Sequence, residues 1–191
     1  MAQGERCGWA KTELDIAYHD TEWGTPEHSD EKLFEFLLLE GMQAGLSWNL
    51  ILKRRESMRA AFDGFDPRII AEYDDAKKAA LLENPGIIRN RAKINSAITN
   101  ARAFLAVQQE FGSFNTYIWG FVNYTPIQNS WASLQEVPAT SPISDTMSKS
   151  LKKRGFKFVG STICYSFMQA MGLVNDHVAT CPRHALCAVQ K

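Results

Sequence analysis

The chain has 191 residues, 45% of them apolar and 22% charged, and its 21 basic residues are balanced by 21 acidic ones. That is enough chain for one well-filled core, or for two lobes sharing one, and the composition is that of an ordinary globular protein rather than a disordered, collagenous or disulfide-stapled one. No apolar run approaches the roughly 20 residues of a membrane helix, no charged-then-apolar leader follows Met1, and four cysteines in such a chain point to reduced thiols and the cytoplasm.

Apolar positions recur mostly at helical spacing, and strand-like alternation is scarce. Ser29 precedes an acid-rich first turn (Asp30, Glu31) and then Leu33, Phe34, Phe36, Leu37 and Leu38, which predicts a helix start. Ser47 begins a second helix running to about Phe62. Asp66-Pro67 gives a cap followed by proline at the first helical position, and Asp74 or Asp75 opens a short helix that stops near Asn84-Pro85. From Ile87 to about Glu110 a long segment carries Ile87, Ile94, Ile98, Ala101 and Leu105 on one stripe, and Ser113 to Val122 reads as a shorter helix rich in aromatics. Asn123 to Pro142 is turn-rich and polar, a long loop. Ser144 starts a helix ending in Lys152-Lys153-Arg154-Gly155, glycine being common just past a helix end, and a last helix runs from near Ser161 to Gly172. With no internal repeat, the expected fold class is all-α.

Three features carry chemistry. Cys7 and His19 near one end, with His177 and Cys181 near the other, make a set of two thiols and two imidazoles that would fill a tetrahedral zinc shell and leave no place for a reacting water. Cys181, His184 and Cys187 form a competing ligand run, and buried structural cysteines are the plain alternative. Second, Gly155-Phe156-Lys157-Phe158-Val159-Gly160 lies between two helices, beside Arg154 and Ser161. A glycine-bounded hairpin feeding a helix N-terminus suits a phosphate grip, and a tight turn with Phe156 and Phe158 in the core is the alternative. Third, Glu40 falls seven residues after Leu33, four after Phe36 and three after Leu37, so it shares their apolar face. A carboxylate there has to be paired or employed. Trp9, Tyr18, Trp23 and Trp48 lie near it in sequence and could wall a pocket for a flat ligand, or could simply be core.

Charge is unevenly spread. Nine acids between Glu13 and Glu40 face the single base Lys32, whereas Lys149, Lys152, Lys153, Arg154 and Lys157 face no acid, and smaller basic clusters occur at Lys53, Arg54, Arg55 and at Arg89, Arg91, Lys93. Such segregation can make a polyanion-binding face on a neutral chain, or be no more than solvated helix surfaces.

Glu5-Arg6-Cys7-Gly8-Trp9, Tyr18-His19-Asp20 with Glu22-Trp23-Gly24, Leu39-Glu40-Gly41, Gln43-Ala44-Gly45-Leu46-Ser47-Trp48, and Lys153-Arg154-Gly155-Phe156-Lys157-Phe158-Val159-Gly160 with Cys164-Tyr165-Ser166-Phe167 resemble the bacterial 3-methyladenine DNA glycosylase I family, from about Glu5 to Cys181. The resemblance implies a helix-hairpin-helix glycosylase fold and excision of 3-methyladenine from double-stranded DNA by hydrolysis of the N-glycosidic bond. It implies one structural zinc ion on Cys7, His19, His177 and Cys181, joining the N- and C-terminal segments. Glu40 becomes the catalytic and base-recognition carboxylate, taken as an anion, with Tyr18, Trp48 and Trp9 in the base pocket. Gly45 and Leu46 become the wedge that enters the DNA stack, and Gly155, Lys157, Gly160 and Ser161 the phosphate contacts. It further implies a cytoplasmic monomer with free 3-methyladenine as product and no membrane partner. The unit spans 1–191, with possible lobes at 29–142, holding the base pocket, and at 1–28 plus 143–191, holding the clasp and hairpin.

Departures from the family pattern are Asp15, where a second pocket tyrosine is often found, a Cys7-to-His19 spacing one residue short, and a tail after Cys181 with no assigned role. Superfamily relatives keep a catalytic aspartate where this chain has Asn175, in Val174-Asn175-Asp176-His177, and no lysine suggests Schiff-base chemistry. A zinc hydrolase and a non-enzymatic DNA-binding module are the competing classes.

Overall fold

Most helices start on a short polar side chain that satisfies a free backbone N–H. The computed structural model describes residues 5–189, and ten α-helices lie among them: α1 (Glu13–Thr21), α2 (Asp30–Gln43), α3 (Trp48–Ala61), α4 (Pro67–Ala71), α5 (Asp75–Glu83), α6 (Arg91–Phe111), α7 (Phe114–Trp119), α8 (Pro142–Lys153), α9 (Ser161–Ala170) and α10 (Pro182–Val189). Ser29, Ser47, Asp66, Asp74, Asn90 and Ser113 each accept a hydrogen bond from a first-turn N–H. Two helix starts differ from the sequence expectation, and α10 follows the helix expected to be the last. The long helix begins at Arg91 rather than Ile87, because Asn90 supplies its cap. The helix expected from Ser144 begins at Pro142: Ser141 is the cap, and Ser144 returns a bond as the second half of a capping box. α1 was not expected; Thr12 and Asp15 form its capping box.

α2 is the central element. Every residue from Leu33 to Met42 is buried, and α3, α6, α7 and α9 pack around it. A helix surrounded in this way buries its polar side chains too. Glu35 is answered by Arg55 Nε at 2.9 Å and Arg59 at 2.6 Å, and Arg55 also binds Glu22. Burial pushes the Glu35 carboxyl up, but these two guanidiniums hold it below its ordinary value. Buried apolar side chains form one continuous core from Cys7 to Cys181.

Two-residue strands, β1 (Ile127–Gln128) and β2 (Val174–Asn175), pair in parallel with Ile127 opposite Val174. They tie the expected loop at 123–142 to the segment that carries Asp176 and His177. α10 then folds back over this region: Arg183 donates to Thr25 Oγ1 at 2.6 Å and His184 Nε2 lies 2.7 Å from the Asn129 carbonyl oxygen.

Candidate active site and metal centre

Four buried side chains from the two ends of the chain converge. The ligand atoms of Cys7, His19, His177 and Cys181 all lie within 4.8 Å of one another. His177 Nδ1 is 3.6 Å from each sulfur and 3.2 Å from His19 Nε2, and Cys181 Sγ is 3.6 Å from His19 Nε2. The other ring nitrogens are already engaged: His19 Nδ1 lies 2.8 Å from Asp20 Oδ1, and His177 Nε2 lies 3.0 Å from the Trp23 carbonyl oxygen. Such partners fix each imidazole with its remaining nitrogen facing the centre, as metal ligands require. Arg6 holds Asp20 by two 2.8 Å bonds, and with the His19 contact this brings the Asp20 carboxyl down to about 2. Between the two thiols a shared hydrogen bond pushes Cys7 up and Cys181 down. Gly24 completes the shell: its φ is +78°, and a Cβ there would stand 2.8 Å from His177 Nε2. The competing run is set aside, since His184 faces Asn129 and Cys187 packs near Gly24.

Next to this centre lies a cavity of about 460 Å³ lined by Trp9, Tyr18, Trp23, Glu40, Gln43 and Trp48, with Leu134, Val137 and Pro138 from the loop and Ser166, Gln169 and Asp176 from α9 and β2 onward. Glu40 is 4% exposed, and burial raises its carboxyl to about 8, with no hydrogen bond or charge offsetting the cost. Tyr18 Oη and Trp48 Nε1 are buried donors without partners among the described residues. Three polar groups facing an apolar-walled space without protein partners make a site that a ligand has to complete. The Tyr18 and Trp48 rings are 5.4 Å apart and tilted by 47°. A base held between two parallel rings would need about 7 Å, so the two rings form adjoining faces of one wall. Trp9 packs edge-on to Trp23 at 5.1 Å on the same side.

Asp15 lies outside this cavity. Its carboxylate accepts from Thr12 and from Asn49 Nδ2 at 3.1 Å, and these bonds outweigh burial and keep it below its ordinary value. Asn175 is outside as well: its Nδ2 donates to Gln128 Oε1 at 2.8 Å and to the His184 carbonyl at 2.9 Å. The neighbouring Asp176, 1% exposed, faces the cavity instead. Its carboxylate accepts four bonds: from Asn129 and Trp131 Nε1 on one oxygen, and from Tyr165 and Gln169 on the other. It thereby anchors the loop that brings Leu134, Val137 and Pro138 over the base-sized space. Nothing in the local sequence marks those three residues, because a long-range strand pair and a buried carboxylate place them.

Gly45 and Leu46 form an exposed turn between α2 and α3, with Leu46 37% exposed. The hairpin between α8 and α9 is held by Asn100 of α6, whose side chain accepts from Lys157 N at 2.7 Å and donates to Lys157 O at 3.0 Å. Gly155 has φ +93°, and no side chain caps α9 at Gly160. Ser161 donates to Asp145 Oδ1 at 2.5 Å. Phe156 is buried, as is Val159, so the turn serves packing and leaves Lys157 exposed. Gly41 lets this hairpin approach α2 closely, since a Cβ there would lie 3.3 Å from Phe158 Cβ.

The basic clusters divide. Lys149, Lys152, Lys153 and Lys157 are exposed around the hairpin. Arg54 donates to the carbonyls of Pro85 and Ile87, Arg55 joins the buried network, and Lys93 is buried under the Gly45 turn.

A family model for methyladenine glycosylases matches residues 9–184. The chain is 53% identical over 178 residues to the DNA-3-methyladenine glycosylase 1 of Escherichia coli K12, covering 93% of this chain and 95% of that one. A crystal structure of a 3-methyladenine DNA glycosylase I superposes with a TM-score of 0.91 at 54% identity, over 93% of this chain and 98% of the other. The Staphylococcus aureus 3-methyladenine DNA glycosylase I, solved to explain 3-methyladenine recognition, gives 0.91 at 32% identity, over 95% and 97%. With its cavity and its cluster of potential metal ligands on the same helical framework as these proteins, the chain belongs to the methyladenine glycosylase family.

Proposed function

We infer that this protein is a DNA repair glycosylase that excises 3-methyladenine from alkylated double-stranded DNA and leaves an abasic site. The observation that carries this is the set of unpartnered groups, Glu40, Tyr18 Oη and Trp48 Nε1, in an aromatic-walled cavity of base size. Methylation at N3 makes the nucleotide cationic and weakens its glycosidic bond, so the base departs with the bonding electron pair and becomes neutral. The protein has to extrude the nucleotide, hold the base and admit water. No strand cleavage is expected, and Glu40 is the residue that touches the reacting base.

Glu40 changes the picture drawn from sequence, where it was an anion. Burial pushes its carboxyl up to about 8, which favours the carboxylic acid in the open cavity at neutral pH. A cationic nucleotide entering beside it favours ionisation, and the proton returns from solvent as the base becomes neutral. The acid then donates to a ring nitrogen and accepts from the amino group of the neutral base.

Zinc suits the four-ligand centre. Tetrahedral bonds of about 2.3 Å to sulfur and 2.0–2.1 Å to nitrogen put sulfur and nitrogen about 3.6 Å apart and the two nitrogens about 3.3 Å apart, against 3.6 and 3.2 Å here. Such an ion supplies a cross-link between chain ends, and four protein ligands leave no place for the water that a zinc hydrolase needs. α8, the 154–160 turn and α9 serve as the helix-hairpin-helix, gripping phosphate through Gly155, Lys157, Gly160 and Ser161, while Gly45 and Leu46 enter the stack. The reading is of one unit over 1–191, monomeric and cytoplasmic. Among the described residues no helix is long and apolar enough to cross a membrane. Incubation with methylated duplex DNA and identification of the released base tests the whole. Release of 3-methyladenine is expected, and no release, or release of unmodified purines at a similar rate, would overturn it.

A further inference from the structure

Lys93 stands where a lysine is disfavoured. It is in the first turn of α6, the positive end of the helix dipole, it is 6% exposed, and no carboxylate pairs with it among the described residues. Its ammonium donates instead to two carbonyls across the molecule, Met42 O at 2.8 Å and Ala44 O at 2.7 Å. These belong to the end of α2, whose last turn has no basic residue of its own, and to the turn that follows.

That turn is Gln43-Ala44-Gly45-Leu46. Leu46 N donates to Gln43 O at 2.7 Å, Ala44 has φ −47° and ψ 116°, and Gly45 has φ +76°, which together define a type II turn. Types I and II differ by a flip of the central peptide, whose carbonyl is that of Ala44. Nothing lies within 4 Å of where a Gly45 Cβ would be, so the glycine answers to its φ and not to crowding, and no packing from the outer side holds the turn. The hold on that peptide comes from Lys93.

We propose that Lys93 is a positioning residue that locks the Ala44–Gly45 peptide in its type II orientation and so orders the turn that carries Leu46 into the DNA stack. This rests on Gly45 and Leu46 being the segment that enters the duplex. A turn free to flip charges its ordering to the extrusion step. A lesion already out of the stack needs no wedge, so Lys93 matters where a base has to be drawn from a stacked pair.

The test compares single-turnover excision of 3-methyladenine from a matched duplex and from an unpaired bulge of the same sequence, with free 3-methyladenine binding measured alongside. Lys93→Met is expected to lose roughly tenfold or more on the duplex, as for removal of charge-assisted hydrogen bonds, and to stay within about twofold on the bulge and in binding. An equal loss on both substrates, or none on the duplex, overturns the proposal. Leu46→Gly separates the two layers: full duplex activity there removes the wedge reading and the proposal with it, whereas a duplex-selective loss in Leu46→Gly without one in Lys93→Met removes the lock alone. If Lys93→Met does not fold, Gly45→Ala disfavours the same turn from its exposed side. It has to reproduce the duplex-selective loss, and an even loss or none overturns the lock.

Discussion

Glu40 is a titrating group in a place that penalises its charge. It ionises near 4.5 in an unfolded chain and near 8 when buried in the fold. Between those values the folded protein binds more protons than the unfolded one, so Glu40's contribution is fully present below about 4.5 and is lost as pH rises through 8. Glu40→Gln lacks this slope. Its unfolding free energy relative to the parent should rise from pH 5.5 to 8 by up to about 1.4 kcal/mol per pH unit, as read by urea titration; a pH-independent difference would refute the protonated acid. By the same logic, affinity for neutral 3-methyladenine should drop above about pH 8 in the parent and stay level in Glu40→Gln. Excision by Glu40→Gln should fall about ten- to a hundredfold, the worth of one charge-assisted hydrogen bond. Asn175→Ala should cost stability more than rate, since its bonds go to Gln128 and His184 rather than into the cavity; a folded Asn175→Ala enzyme slower than Glu40→Gln would reverse the assignment. Trp48 borders the cavity with its indole N–H unpaired. Bound 3-methyladenine should therefore quench tryptophan fluorescence, and an undiminished quench in Trp48→Phe would place the base elsewhere.

At the scale of elements, the hairpin between α8 and α9 is a turn stiffened from behind. Asn100 clamps both backbone groups of Lys157, and Ser148 donates to Val159 O at 2.6 Å, so the exposed Lys157 and the uncapped start of α9 are presented on a rigid frame. Lys157→Ala should weaken binding to all duplexes alike and lower the slope of log affinity against log salt by about one; a loss confined to particular sequences would point to base contacts. Helix starts were legible because a cap is a local device. Ser29, Ser47, Asp66-Pro67 and Asp74 each act within three residues of themselves. Thr12 and Asp15 use the same device to start α1, at a position where the family often has a tyrosine and the polar residue therefore reads as a departure from the pocket pattern.

For the molecule as a whole, the clasp ties residues 7 and 19 to 177 and 181. Bringing such distant segments to one point costs chain entropy that a bound metal would offset, which would link metal affinity to folding. Removing the ion with a chelator should lower the melting temperature sharply and abolish activity in the same step; lost activity at unchanged stability would mean that the ion works in the chemistry. Sequence by itself determined the helical class, most helix starts, the candidate ligand residues at the two ends with their competitors, Glu40 on an apolar face and the glycine-bounded hairpin, because periodicity, caps and residue chemistry are written locally. Tertiary structure decided the rest. It chose Cys7 and His19 over His184 and Cys187, brought Leu134, Val137 and Pro138 over the cavity through β1, β2 and Asp176, turned Asn175 away from it, and buried Glu40 so that its carboxyl is pushed up to about 8. Each of those depends on which distant groups share a desolvated space, and residue order along the chain does not encode that separably from the fold.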